Sequence, residues 1–327
     1  MRFIPLLLLA KLLTATATAD SDRFSAVVSG AADMERLHTL VVLEHGETVV
    51  ELHRAGPGPA QPANIKSLSK TVLSMIAGVA IDRGIVDSTD QPLVDLLGTR
   101  VPEAADPAVA AITFGHALSM QTGLQSTSGR HYGRWVQSED WVAHALTRPW
   151  TDEPGGRMIY STGATHLASA ALAEASGRST RALARDWLGE PLEISIPEWM
   201  RDPQGIHFGG NEMRLSPRAL ARLGELYRRG GSFNGEQVIS SDWIERSWTA
   251  RGRSPWTGDD YGYGWFITEL AGQRVYYGRG FGGQGLFVVP ASGLTIVMTA
   301  DPTPPSPGGR YFRLMTERVS EIIRVVD

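Results

Sequence analysis

The chain of 327 residues contains no cysteine and only three lysines, Lys11, Lys66 and Lys70, and its other basic side chains are arginines and histidines. Without cysteine there is no disulfide and no thiol nucleophile, so stability must come from the hydrophobic core. The eight histidines form neither an H-E-x-x-H motif nor a metal-ligand cluster, and the glycines form no phosphate-binding motif. We therefore expect no metal and no cofactor.

The chain also lacks an excess of basic charge, and long hydrophobic runs are scarce. The formal charge is −4, which gives no reason to expect nucleic acid as a partner. The first 19 residues are typical of a secretory signal, because Arg2 precedes an apolar stretch, interrupted by Lys11, and Ala17-Thr18-Ala19 offers a cleavage site. No later stretch approaches the roughly 20 apolar residues of a membrane span. We predict cleavage after Ala19 and a periplasmic or secreted mature protein without a membrane span.

Strand patterns occur at both ends of the chain and helical patterns occupy its middle. Strand character is found at 39–43, 48–52, 264–267, 274–277, 285–289 and 294–299. Helices are predicted at about 67–82, 112–120, 139–147, 163–175, 180–188, 217–226, 241–248 and 311–326. This order predicts one mixed sheet assembled from both ends, with an α/β lobe from about 20–90 and 205–327 and a helical lobe from about 91–204.

Two of the three lysines lie beside a serine. Ser67 and Lys70 are three residues apart at the start of a helical pattern, so both side chains should project from one face of its first turn. A lysine buried against apolar residues can lose its proton, as an arginine in practice cannot, and could then take the proton of a serine nucleophile. The alternative is that S-x-x-K, expected by chance about once in such a chain, marks only a solvated lysine.

Two further segments are candidates for the same site. Tyr160, after the turn Pro154-Gly155-Gly156, is a candidate second base that could share one proton with Lys70. The alternative is a tyrosine anchored in the core. The glycine-rich stretch 278–287 allows a ligand to approach the backbone, so the N–H of Phe281 could hold an oxyanion together with that of Ser67. The alternative there is a bulge or tight turn without a ligand.

Together these segments resemble the serine β-lactamase and penicillin-binding protein superfamily, and within it the class C β-lactamase-like branch of esterases and 6-aminohexanoate-dimer hydrolases. The resemblance covers nearly the whole mature chain. It is strengthened by Leu118-Ser119-Met120-Gln121-Thr122-Gly123-Leu124, Glu153-Pro154-Gly155-Gly156, Leu215-Ser216-Pro217-Arg218 and Tyr261-Gly262-Tyr263-Gly264-Trp265.

The resemblance implies an α+β fold in which an antiparallel sheet is flanked by helices and an all-α lobe is inserted. It also implies that Ser67 is the nucleophile, Lys70 its base and Tyr160 the residue that exchanges protons with Lys70 and the leaving group. The backbone N–H groups of Ser67 and Phe281 would form the oxyanion hole. The substrate would be a small ester, amide or lactam.

The substrate-binding positions depart from those of β-lactamases proper. Thr162 replaces the usual asparagine of the tyrosine motif, and Arg279-Gly280-Phe281 replaces Lys-Thr-Gly or His-x-Gly. Arg279 could still bind a carboxylate through two hydrogen bonds. His131 could line the acyl pocket or lie in an ordinary surface loop. The candidate substrate-binding residues are thus Thr162, Arg279, Gly280, Gly282, Gln284 and His131.

The Gly-Phe-Gly-Gly-Gln run is closer to the esterase and nylon-oligomer hydrolase branch than to the lactamases. We therefore predict an exported serine hydrolase that cleaves an ester or amide through an acyl-serine intermediate. One alternative is a β-lactamase or D-alanyl-D-alanine carboxypeptidase of the same fold. The other is a non-catalytic binding or sensor domain, against which the presence of Ser67, Lys70 and Tyr160 argues.

Overall fold

A computed structural model of the chain describes residues 23–305 and 308–327. The predicted signal sequence and its cleavage site lie outside the described residues, and export stays a prediction. No helix among residues 23–305 and 308–327 combines the length and the apolar character that crossing a membrane requires.

One sheet of eight strands combines segments from the N-terminal and C-terminal parts of the described chain. Four further strands form two separate two-stranded pairs. In chain order the twelve strands are β1 Leu37–Glu44, β2 Glu47–His53, β3 Ala63–Asn64, β4 Arg214–Leu215, β5 Ser232–Phe233, β6 Glu236–Gln237, β7 Gly252–Arg253, β8 Asp260–Tyr261, β9 Phe266–Leu270, β10 Gln273–Gly280, β11 Gln284–Val289 and β12 Leu294–Ala300. The order is β2-β1-β12-β11-β10-β9-β8-β7, and β3 pairs with β4 and β5 with β6. The prediction of a mixed sheet was wrong: the registered pairings are antiparallel, because short turns join most neighbouring strands.

The helices flank this sheet and fill the middle of the chain. They are α1 Ser25–Ala32, α2 Ser69–Asp82, α3 Leu93–Leu97, α4 Phe114–Leu118, α5 Tyr132–Val136, α6 Trp141–Leu146, α7 Thr162–Ser176, α8 Thr180–Ala184, α9 Pro217–Arg228, α10 Ser241–Ser247 and α11 Gly308–Val326. Ser216 caps the start of α9, because its hydroxyl accepts a hydrogen bond from the Ala219 N–H at 3.1 Å.

Both faces of the sheet are buried. In β11, Leu286 and Val288 join a core with α2 and α9, whereas Phe287 and Val289 join a second core with α11. This alternation follows from the two-residue period of a strand. The antiparallel sheet with helices on both faces agrees with the predicted fold class.

Several predicted elements have different bounds in the structure, and two of them lie close to the site or change helix type. The strand expected at 264–267 begins only at Phe266, because Gly264 has φ +76° and a Cβ there would lie 2.9 Å from the Lys70 carbonyl oxygen. The helix expected at 180–188 is α-helical only to Ala184 and continues as a π-helical turn, Arg185–Gly189.

Candidate active site

The serine and lysine predicted to work together lie one turn apart at the start of α2. A 3-10 turn, Lys66–Leu68, runs directly into this helix and carries Ser67. Lys70 Nζ lies 3.3 Å from Ser67 Oγ. The three-residue spacing thus puts both groups on one face, as the sequence predicts.

Lys70 is enclosed by protein and has no acidic partner among the residues described. Its side chain is 2% exposed, and its amine donates to Gly210 O at 2.6 Å and to Thr162 Oγ1 at 3.3 Å. Burial lowers the pKa of Lys70 from its ordinary value of 10.5 to about 7. A large fraction of the amine is therefore uncharged at neutral pH and able to accept a proton.

The buried amine should make the free energy of unfolding depend on pH. Between pH 7 and pH 10.5 the unfolded chain binds a proton at Lys70 that the folded chain does not, so the free energy of unfolding gains a contribution that rises with pH. We expect Lys70→Met to lack this rise over pH 7 to 9 in urea titrations, and Lys66→Met, at a partly exposed lysine, to keep it. Parallel curves for wild type and Lys70→Met would contradict a depressed pKa.

The ring of Tyr160 faces the Lys70 amine. The Lys70 amine is 5.0 Å from the centroid of the Tyr160 ring. Burial raises the pKa of the Tyr160 phenol, and a hydrogen bond with Ser67 and the charge of Arg279 partly oppose this rise. The single proton that the two groups could share therefore lies on the phenol of Tyr160, and the amine of Lys70 is the free base.

A loop of hydroxyl side chains, missed in the sequence, holds the Tyr160 segment. Ser126 Oγ donates to Tyr160 O at 2.6 Å, and Ser128 Oγ is 2.9 Å from Thr162 Oγ1. Thr127 Oγ1 accepts the N–H of Gly163 at 2.7 Å. The run Ser126-Thr127-Ser128 was the only signal in the sequence, and it is equally typical of a solvated loop.

Lys66, the residue before Ser67, has a left-handed backbone with φ +50°. Three contacts hold it there: its N–H donates to Asn64 Oδ1 at 2.9 Å, its amine pairs with Glu212 at 2.9 Å, and Glu212 also accepts from Asn64 Nδ2 at 2.6 Å. Such a conformation costs about 1 kcal/mol or more for a residue with a Cβ. The second lysine is thus bound to a carboxylate, in contrast to Lys70.

A cavity of about 690 Å³ opens beside Ser67 and Tyr160. Trp256, which is 64% exposed and which the sequence analysis did not single out, forms one wall and packs edge-on against Tyr160 at 5.3 Å. Phe281, in the turn between β10 and β11, also lines the cavity. β10 approaches the Ser67 turn closely, since a Cβ on Gly280 would lie 2.2 Å from Ile65 O.

Arg279 lines the cavity between two aromatic rings. Its guanidinium carbon is 5.0 Å from the centroid of Phe266 and 4.6 Å from that of Phe312. Among residues 23–305 and 308–327, the hydrogen bonds and ion pairs do not include one from this guanidinium. The nearby carboxylate of Asp259 accepts instead from Tyr277 Oη at 2.6 Å. Arg279 therefore presents to the cavity a guanidinium without a direct ion pair, in a lining that also contains the Asp259 carboxylate.

Of the remaining candidates, three line the cavity and two do not. Gly280, Gly282 and Gln284 line the cavity, although the Gln284 amide is bound to Ala300 O at 2.7 Å. Thr162 is buried behind the Lys70 amine and, like His131, does not line the cavity. His131 instead contacts Arg130 on a surface turn. Within the described part of the chain, histidines and carboxylates form no group able to hold a metal ion.

Fold and site together define a serine hydrolase with the β-lactamase fold that acts on amide or ester bonds. The chain belongs to the beta-lactamase family, whose sequence model matches residues 22–317. A 6-aminohexanoate-dimer hydrolase of Paenarthrobacter ureafaciens is 24% identical to it, over 93% of this chain and 84% of the relative.

Solved structures show the same fold at low identity. EstCE1, described as a hydrolase with promiscuous acyltransferase activity, superposes with a TM-score of 0.75 at 18% identity, covering 93% of this chain and 99% of that one. A D-stereospecific amidohydrolase from a Streptomyces species superposes with a TM-score of 0.70 at 14% identity, covering 91% and 98%.

Proposed function

We propose that this chain hydrolyses carboxylic esters or amides through an acyl intermediate on Ser67. The observation that carries the proposal is the buried amine of Lys70, whose pKa is lowered to about 7 and which lies 3.3 Å from the Ser67 hydroxyl. A serine needs a base to take its proton, and an uncharged amine at this distance meets that need.

In the proposed acylation, Ser67 Oγ attacks the substrate carbonyl carbon and its proton passes to Lys70. The tetrahedral intermediate then breaks its bond to the leaving group, which takes a proton from the Tyr160 phenol, and Lys70 returns a proton to Tyr160. Water attacks the acyl-serine in the second half, and Ser67 regains its proton as the acid is released. The raised pKa of Tyr160 suits a group that stays protonated until the leaving group departs.

The oxyanion of the intermediate would lie between Ser67 and Phe281. Both residues line the cavity, and the close packing of Gly280 on Ile65 brings the β10–β11 turn to the start of α2. Two backbone N–H groups aimed at one oxygen stabilise developing charge without reorganisation.

We place esters and amides ahead of lactams because of Thr162 and Arg279. The Thr162 hydroxyl already forms hydrogen bonds with Lys70 and Ser128. It is therefore not free to bind the acyl side chain of a substrate, which the longer asparagine amide usual at this position could do. The position after Arg279 is glycine and offers no hydroxyl for a lactam carboxylate. The names of the hydrolase and amidohydrolase relatives support the same choice.

A substrate panel tests the proposal. The mature protein is assayed with p-nitrophenyl esters, short-chain amides, a chromogenic cephalosporin and a D-Ala-D-Ala peptide, with Ser67→Ala as the blank. Turnover of esters or amides that the blank lacks supports it. Turnover confined to the cephalosporin or the peptide would establish the alternative, and no turnover with no acyl-enzyme would favour a binding domain.

Arg279 is proposed to bind a carboxylate of the substrate, because its guanidinium faces the cavity without an acidic partner. We expect Arg279→Gln to lower kcat/KM about ten-fold or more for a p-nitrophenyl monoester of a dicarboxylic acid, and much less for the neutral ester of equal length. Arg313→Gln, at an exposed arginine of the same cavity, is the matched control. Equal losses on both esters would contradict this role.

A further inference from the structure

A histidine and a carboxylate are completely buried in the helical part of the chain. His166 on α7 and Asp202 both have side chains that are 0% exposed, and His166 Nε2 is 2.9 Å from Asp202 Oδ2. The rings of Trp141, Trp135 and Phe208 surround the imidazole at 5.3, 5.8 and 6.0 Å. A buried polar pair inside an aromatic shell is expensive to desolvate and has no place in the acylation chemistry above.

The hydrogen bonds define which nitrogen of His166 carries the proton. Asp202 Oδ1 accepts the backbone N–H of Gln204 at 2.9 Å and of Ile206 at 2.8 Å, which leaves Oδ2 to accept from His166 Nε2. His166 Nδ1 faces the N–H of Gly209 at 3.5 Å. An Nδ1 that faces an N–H group acts as an acceptor, so the proton shared with Asp202 lies on Nε2.

Gly209 directly precedes the residue that binds the Lys70 amine. The carbonyl of Gly210 accepts from Lys70 Nζ at 2.6 Å, the shortest contact of that amine. The segment packs against α7, since a Cβ on Gly209 would lie 2.3 Å from Thr165 O. It also lies close to the amine, since a Cβ on Gly210 would lie 3.0 Å from Lys70 Nζ. Small shifts of this segment therefore move the carbonyl relative to the amine.

We propose that His166 and Asp202 are positioning residues for the catalytic base: Asp202 holds His166 in the tautomer that accepts from Gly209, and so aims the Gly210 carbonyl at Lys70. This rests on the proposed function, because it assigns the base to Lys70. Neither residue touches substrate; they act through two glycines on the orientation of one amine.

Within the described ranges, few other titratable groups face these residues. Besides the hydroxyls of Ser67 and Thr162, Lys70 faces the ring of Tyr160. His166 faces Asp202 alone, and the Asp202 charge also acts on His207, whose pKa burial lowers to about 4. Arg201 contacts that histidine at 3.3 Å. A change in the pH profile between pH 5.5 and 8 would thus report on Lys70 and not on His207.

Asp202→Asn tests the proposal with almost no change of shape. The two backbone N–H groups keep the amide oxygen on their side, so the new NH2 group faces His166 Nε2 and forces the ring into its Nδ1–H tautomer. Two N–H groups then oppose each other at Gly209. We expect kcat/KM at the pH plateau to fall about ten-fold. The acid limb should move to lower pH, because the ammonium form of Lys70 loses its best acceptor.

The control and the tautomer measurement separate positioning from stability. Ser169→Ala removes another buried polar contact of the same helix, to His207 O at 2.8 Å, and should lower stability while leaving the acid limb in place. In ¹⁵N NMR of the wild type, His166 should show the Nε2–H tautomer, and Asp202→Asn should convert it.

Each of the remaining outcomes overturns either the positioning role or the proposed function. An Asp202→Asn profile that superposes on the wild-type profile, an equal shift in Ser169→Ala, or an Nδ1–H tautomer in the wild type would overturn the positioning role. A wild-type profile without an acid limb near pH 7 would instead contradict the proposed function, so the two failures are distinguishable.

Discussion

Replacing Lys70 with arginine is expected to lower kcat/KM for ester hydrolysis by about 10³-fold or more. Arginine keeps the positive charge and the hydrogen-bond donors but does not release a proton in proteins, so Ser67 would lose its base. In the wild type, kcat/KM should rise with pH through about 7 and then level off, because only the uncharged amine accepts the serine proton. The measurement is steady-state hydrolysis of a p-nitrophenyl ester from pH 5.5 to 9.

Lys66 provides a matched control for this substitution. It lies four residues before Lys70 and is paired with Glu212 at 2.9 Å, an ion pair that arginine can keep. We expect Lys66→Arg to retain activity within a few fold and to keep the acid limb. Near-normal rates in Lys70→Arg would show that another group takes the serine proton.

Ser67→Ala is expected to remove turnover to the background rate, a loss of about 10⁵-fold, because no other group of the site can form the acyl intermediate. In the wild type, a fluorophosphonate probe should label one peptide, with the phosphonyl group on Ser67 and fluoride released. The amine of Lys70 beside this hydroxyl is the physical reason for its selective reactivity.

Ser74 serves as the control serine. It lies on the same helix, is completely buried and donates to Tyr263 O at 2.6 Å, away from the cavity. Ser74→Ala should be labelled at the wild-type rate on Ser67. A label on any other serine, or full activity of Ser67→Ala, would rule out the acyl-Ser67 route.

Local pattern was enough to predict most strands and helices near the site. The alternating and helical periods depend on neighbours in the chain, so the strands β1 and β2 and the helices α2 and α9 could be predicted directly. The strand directions were harder to predict. Whether a sheet is mixed or antiparallel depends on which strands pair, and the pattern of polar and apolar residues within one strand does not carry that information.

The sequence by itself predicted that Ser67 and Lys70 lie on one face of a helical turn, because residues three apart on a helix are neighbours. It also pointed to Tyr160 and the β10–β11 turn through a family resemblance. Only the tertiary structure decided what surrounds the amine. Gly210, which accepts from Lys70, is 140 residues away, and His166 and Asp202 act on it from another helix and a loop.

The physical reason is the range of the forces involved. Helical geometry is set over a few residues, whereas the pKa of a lysine depends on how completely distant segments exclude water from it. Packing of that kind is a property of the folded chain as a whole, and it is what turns an ordinary lysine into a base.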